Sequence, residues 1–522
     1  MNDAKVDTRI LSANPLPTRR SFLATAGCAL ASPLLGISSP LQATSVQSSS
    51  TSASKTSLAS GSQTGITSAT MSEQIANFIV RFSFKDLPAE VIRKAKEQIV
   101  FFFGRAFQGL PSDEGVQMRE IARQMQQETG GMTVIAERFR LLPSDAAFAN
   151  CSLMRGSMGR DDVIWPAGIH AGVVTLPTAL ALAEAKRASG RELLVALVLG
   201  YEVLGKLARA ADPWQATLPH RPTNVYGSFG PITVAGSLLK LDQRRMANAL
   251  GYAANLSMGI AEGGMMDHYY SLINRNGMFA AQLAEAGGAP YSRTTIEGST
   301  GLYRSFFGEV PATLPGLISS LGSGWEILTA EQKRYPGTGQ NTVAIELLLD
   351  LIKVQKLRLD QITNIDVFEV DLLEAADRKN ELSSRGPFVR PVQAYSSAPY
   401  ALALVLLEGD VPVARYLDNA DFNDKTVARV MQKINIFFEK GHGPRYCRIE
   451  VHTTDKRKLV SQSENFVYPF PPSVWGEWLQ ADGKRLLPLE QLQRLEHLIS
   501  NLENVDDVSK LMACVFPTGV AK

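Results

Sequence analysis

From His170 to about Ala286 the chain is strongly apolar and carries helical spacing almost throughout. That stretch constrains the fold more than any other. A helix that is apolar on every side must be buried among other helices or in lipid. Leu193 to Ala211 has nearly the length of a membrane span, but Glu202, Lys206 and Arg209 interrupt it, so it reads as a core helix. Small residues recur at Gly227, Ser228, Gly230, Ala235, Gly236, Ala253, Ala254, Gly259, Ala280 and Ala281. Such residues let helix axes approach closely, which predicts a tightly packed helical core.

The chain around this block is long, with 522 residues, 45% of them hydrophobic and 20% charged. That composition suits a globular protein with more than one core. The first residues read as an address rather than as fold. Thr18-Arg19-Arg20-Ser21-Phe22-Leu23 is a twin-arginine pattern, followed by an apolar run to Ile37 and the small-residue site Leu41-Gln42-Ala43. Residues 1–43 are expected to be a signal peptide read by the twin-arginine translocase, which carries folded protein to the periplasm. Those residues hold four Lys/Arg and two Asp/Glu, so 49 of each sign remain in the mature chain. A neutral chain has no bulk electrostatic attraction to nucleic acid or anionic lipid, and neither is expected as a partner of the mature form. Three cysteines remain, Cys151, Cys447 and Cys514; an odd count without CxxC spacing predicts buried thiols rather than a disulfide framework or a zinc site.

Residues 44–70 are rich in Ser and Thr and read as a linker. Ser72 is expected to cap a first helix bearing Ile75, Ile79 and Phe82 on one face. A second, roughly Ala89 to Phe107, starts after Pro88. Residues 71–332 form a helical domain in this reading. The pattern then changes: segments 365–370, 434–438 and 448–452 alternate with period two and read as strands. Helices are expected between them, at Tyr400–Leu407 and Asp424–Lys433. Residues 333–460 thus read as a smaller α+β domain. In residues 461–522 helical spacing returns, with Leu489, Leu492, Leu495, Leu498, Ile499 and Leu502 on one face. The fold class is mainly α.

Ionisable groups punctuate this apolar chain in a definite order. Asp161-Asp162 precedes His170, and Lys333-Arg334-Tyr335-Pro336 follows much later. Charges bordering large buried helices must be solvated at a cleft or paired, because an isolated buried charge is costly. Adjacent residues rarely share one side of a turn, so only one of the two aspartates is expected to face a pocket. Asp267-His268-Tyr269-Tyr270…Asn274-Arg275-Asn276 is a second polar cluster. Within it Arg275 is a candidate bidentate carboxylate clamp and Asn276 a candidate neighbour; helix capping and interface packing explain the cluster equally well. The histidines and Asp267 lack any metal-ligand spacing, and no phosphate-binding loop or dinucleotide fingerprint follows a strand.

Taken together, Asp161-Asp162…His170, Pro177–Glu184, Gly200-Tyr201-Glu202-Val203, Pro222-Thr223…Gly227–Gly230, Ala280–Ala284, Ile296-Glu297-Gly298…Gly301 and Lys333–Pro336 resemble the MmgE/PrpD family, the 2-methylcitrate dehydratase and cis-aconitate decarboxylase group. The resemblance runs from about Glu73 to Leu511. It implies a homodimer and no cofactor. It also implies a helical domain built from both chain ends, an α+β lid and an active site between them. Family members act on small di- and tricarboxylates by dehydration, decarboxylation or epimerisation. His170 matches the family histidine after the paired acids, and Lys333 matches the lysine at the entrance to the lid.

The candidate catalytic set is therefore Asp162, His170, His220, His268 and Lys333, with Arg221, Arg275 and Asn276 holding a carboxylic acid substrate. In it His170 is base or acid, Lys333 anchors a carboxylate or donates a proton, and Asp162 orients. The chain departs from the family pattern at Gly159, Val163 and Arg221, and in Met266-Asp267-His268, where a lysine is usual. Those departures leave open a non-catalytic binding or assembly protein on the same scaffold, and an epimerase.

Overall fold

The computed structural model describes residues 69–156, 160–211, 221–257, 268–371, 376–417, 420–466 and 473–517. The expected signal peptide, nearly all of the linker, and His220, Gly159, Met266 and Asp267 lie outside these residues. Helix α1 spans Met71–Arg81. Its cap is Thr70, not Ser72: Thr70 has the extended backbone of a cap, its side chain accepts from the Glu73 N–H, and Glu73 returns the bond. Ser72 falls inside the first turn and is buried.

Helix α2 (Ala89–Gly109) buries Val91, Ala95, Ile99, Phe102, Phe103 and Ala106, the face its spacing predicts. After α2 come α3 (Asp113–Met125), the short strands β1 (Met132–Thr133) and β2 (Arg140–Leu141), and α4 (Pro143–Arg155). A β-carbon on Gly109 would lie 1.8 Å from the Leu153 carbonyl oxygen, so glycine is what lets α2 approach α4. Helices α5 (Ala171–Lys186) and α6 (Gly190–Ala210) follow and are buried nearly all round. The charges that interrupt α6 all meet one 3-10 turn. Arg209 grips Glu326 at 2.8 Å, Lys206 stands 3.5 Å from the same acid, and Glu202 accepts the Glu326 N–H at 2.9 Å. Burial still pushes the Glu202 carboxyl up to about 7, against the pull of those hydrogen bonds and of Lys206. No described helix is long and apolar enough to cross a membrane.

The helices are joined into one core that runs from Ile75 to Ala330 and resumes with Leu479, Leu492, Leu495, Ile499 and Leu502. The last of these sit on and beside a helix at Leu489–Ser500. A second core begins at Tyr335 and ends at Val451. Its sheet has four strands in the order β6-β5-β7-β8: β5 Ile362–Val370, β6 Ile434–Glu439, β7 Cys447–Thr453 and β8 Lys458–Ser463. β5 pairs parallel with β6 and antiparallel with β7. The helices Gly339–Gln355 and Ala398–Glu408 belong to the same core. Sequence reading did not anticipate β8. It is an edge strand with no fully buried residue, so the apolar alternation that marks a strand is weak there. Cys151, Cys447 and Cys514 are free and buried.

Candidate active site

Two three-residue strands position the groups of interest. β3 (Asp162–Ile164) pairs antiparallel with β4 (Ala330–Gln332), setting Asp162 opposite Gln332. The ladder runs one step further, because the Lys333 N–H donates to the Asp161 carbonyl at 2.9 Å. Asp161 and Lys333 therefore face each other across the strands, and their side chains meet, Nζ to Oδ1, at 2.6 Å with each only 2% exposed. The chain then turns back through Gly168, which has a positive φ of 63°, and Ile169 bridges to Ile164. That return delivers His170 to the N-terminus of α5, beside the two aspartates.

His170 is held from three sides. Its backbone N–H donates to Thr223 Oγ1 at 3.0 Å. Its Nδ1 lies 2.8 Å from the Asp162 carbonyl oxygen and 3.2 Å from Asp161 Oδ1. A carbonyl oxygen can only accept, so Nδ1 carries the hydrogen and the neutral ring keeps its lone pair on Nε2. Among the described residues Nε2 has no hydrogen-bond partner, and the ring retains 23% of its exposure. This is the arrangement of a base oriented by an acid.

Burial pushes the Asp161 carboxyl up, but the His170 ring and the Lys333 ammonium beside it outweigh that and hold the group far below the usual carboxylate range. Lys333 shows the reciprocal balance: burial pulls it down, Asp161 lifts it above its ordinary value, and it stays an ammonium. Asp162, proposed from sequence as the orienter, has its carboxylate elsewhere. Oδ1 accepts from the Gly172 N–H at 2.9 Å, and Oδ2 from the Tyr201 hydroxyl at 2.6 Å and Gln98 at 3.2 Å. All of these are in the core, and burial pushes this carboxyl up to about 6. Only its main-chain carbonyl touches His170. The side chain that faces the imidazole is Asp161.

Further groups surround this centre. Arg155, the last residue of α4, lies over the Tyr270 ring at 5.5 Å, and its charge acts on Asp161. Tyr270 in turn sits with its ring 6.0 Å from the His170 ring. Tyr395, from the second core, lies within electrostatic reach of both Lys333 and Arg155. Sequence reasoning missed Arg155 and Tyr395; neither stands in a recognised motif, and only the fold brings Arg155 onto Tyr270 and Tyr395 within reach of Lys333.

Other expected residues are placed apart. His268 caps the helix Tyr269–Glu285 in a left-handed conformation, with Nδ1 on Ser152 at 2.9 Å and Nε2 on Gln117 at 3.0 Å. Its ring stacks on Phe148, and both nitrogens are occupied. Arg275 is spent on Asp145 at 2.7 Å, and Asn276 faces solvent. Arg221, by contrast, stays close: it caps the short helix Pro222–Tyr226, whose Thr223 holds the His170 N–H, and acts electrostatically on Tyr270. The described residues that could group around a metal ion are Asp366, Glu450 and His452, on the second core's sheet. Glu450 is already paired there with Arg448 and Lys458.

The sequence carries two domain signatures in order. The MmgE/PrpD N-terminal domain matches residues 73–314, and the MmgE/PrpD C-terminal domain matches residues 335–469. The chain belongs to the MmgE/PrpD family. Lys333 falls between the two matched domains of this family member. The cis-aconitate decarboxylase-like protein oryM of Aspergillus oryzae is 25% identical over 472 residues, covering 85% of this chain and 96% of its own. Human cis-aconitate decarboxylase is 23% identical over 466 residues, 84% of this chain and 93% of its own; the mouse enzyme is 23% identical over 467. The family fold and these relatives make the MmgE/PrpD protein a lyase of the dehydratase or decarboxylase type.

Proposed function

We propose that this protein is an exported, cofactor-independent lyase that moves a proton at the carbon next to a carboxylate of a small di- or tricarboxylic acid. The observation that carries this reading is the Nε2 of His170, unpartnered among the described residues and set by an Nδ1–H that bonds the Asp162 carbonyl and leans on Asp161. Nε2 can take a proton from the substrate carbon or, once protonated, return one to it. Asp161 stabilises the imidazolium in either case. Lys333 and Arg155 supply fixed positive charge nearby, which favours a carboxylate and the negative charge that develops as the proton leaves. A panel of di- and tricarboxylates, followed by thermal shift and product analysis together, tests the reading. Loss of water or carbon dioxide from one of them supports it; stabilisation without conversion would make the protein a binder.

Two further parts of the proposal rest on other features. Export to the periplasm through the twin-arginine translocase is supported by Thr18–Leu23 and the apolar run behind it. A homodimer is supported by the helix Tyr269–Glu285, which exposes Leu272, Phe279 and Leu283 along one face.

A further inference from the structure

A second group of positive charge lies behind the β3–β4 ladder, and the lyase chemistry leaves it unused. Asp161 and Lys333 turn to one side of the ladder, and their neighbours Arg160 and Arg334 turn to the other. The contacts follow that division, for both arginines pack on Trp478, with guanidinium carbons 4.8 and 5.8 Å from an indole ring. Arg105, from α2, reaches the same side chain at 5.2 Å and also covers Phe101 at 5.1 Å. Three guanidiniums thus converge on one tryptophan.

Two of the three are deeply buried, Arg105 at 1% exposed and Arg160 at 7%. Among the described residues, Nε and Nη1 of Arg105 and Nε of Arg160 have no hydrogen-bond partner. Arg160 donates from Nη1 to Gln108 at 2.7 Å. Asp482 is the acid whose charge acts on both, but it accepts from Gln108 at 2.6 Å and forms no ion pair with either arginine. Burial and mutual repulsion pull Arg105 well below its ordinary range; Arg160 is pulled down to about 10 by burial, eased by Asp482. Stacking on aromatic faces stabilises the cations but leaves their in-plane N–H donors unmet. A planar or tetrahedral oxyanion would meet both needs, since a guanidinium fork matches carboxylate and phosphate alike.

We propose that Arg105, Arg160 and Arg334, arrayed on Trp478, form a second anion site for a small carboxylate or inorganic phosphate, distinct from the His170–Lys333 centre. Two of these arginines are chain neighbours of Asp161 and Lys333, so an anion here acts directly on the segments that hold the catalytic pair. The site is thereby suited to a small acidic effector, and its existence does not depend on whether the His170 centre turns over.

Calorimetric titration of the full chain at constant ionic strength, once with inorganic phosphate and once with malonate, tests the site and separates the two anion classes. Saturable binding of at least one of them is expected in wild type and in Lys333→Met. Arg105→Met should weaken it at least tenfold, and Arg160→Gln should do the same if the first variant fails to fold. Should neither arginine variant fold, saturable binding by Lys333→Met protein still supports the site. No saturable binding in wild type overturns it. So does binding that folded Lys333→Met protein loses, or that the folded arginine variants retain.

Discussion

His170 and Lys333, far apart in sequence, address a single oxygen: Oδ1 of Asp161 stands 3.2 Å from Nδ1 of the imidazole and 2.6 Å from the ammonium of the lysine. The relationship is built by main-chain geometry. One extra rung on the β3–β4 ladder places Lys333 opposite Asp161, and the turn through Gly168 brings His170 back to the same carboxylate. Asp161 thereby touches both, and it keeps the lysine charged.

The Asp161–Lys333 pair is buried on both sides, so breaking it should be expensive. Lys333→Met leaves Asp161 with the histidine and the charge of Arg155 but no ion-pair partner at contact distance, and should cost about 3–5 kcal/mol of stability. Asp161→Asn combined with Lys333→Met should cost less than the sum of the two single changes, by about 1 kcal/mol or more. Urea unfolding of the four proteins gives the coupling directly; additive losses would mean that the two side chains do not interact as the distances imply.

Glu369 offers a test of the second core. It lies in β5 at 2% exposed, with Oε1 lacking a hydrogen-bond partner among the described residues, and burial alone pushes its carboxyl up to about 7. A carboxyl whose folded value is raised binds its proton more tightly in the native state. Its contribution is then complete below about pH 4.5 and is lost as pH rises through about 7. Glu369→Gln removes that loss, and a gain on the order of 2–3 kcal/mol is expected at pH 8, with little at pH 4.5. Urea midpoints at the two pH values decide it, and an equal effect at both would refute the burial argument.

Leu272, Phe279 and Leu283 form an exposed apolar stripe on one helix, with Phe279 59% exposed. Phe279→Glu places a charge in the middle of that stripe and should convert a dimer to monomer without loss of secondary structure. Sedimentation velocity reads the mass. A dimer that survives the substitution would move the interface elsewhere.

Much of this could be read from the chain, and the exceptions have physical reasons. The apolar block from His170 signalled buried helices, and α5 and α6 lie at the centre of the fold. Strand alternation marked β5 and β7, whose inward residues are buried, and the edge strand β6, which is apolar although only Ile434 is fully buried, but not the half-exposed and more polar edge strand β8. His170 and Lys333 stood out because charged groups are rare beside such helices. Sequence could not say which aspartate faces them. Neighbours on a strand point in opposite directions, and only the register with β4 shows that Asp161 meets the lysine while Asp162 enters the core. For His268 and Arg275 a functional and a structural role stood level on paper; Ser152, Gln117 and Asp145, their partners, are distant in sequence and could not be foreseen.

The proton-transfer role of His170 is tested most directly by incubating wild type and His170→Gln with the di- and tricarboxylate panel in deuterated buffer, following substrate and product by proton NMR. Wild type should convert at least one acid with loss of water or carbon dioxide. The variant should fold with an unchanged circular dichroism spectrum and turn over at least about 100-fold more slowly. Conversion by His170→Gln at the wild-type rate would contradict the account.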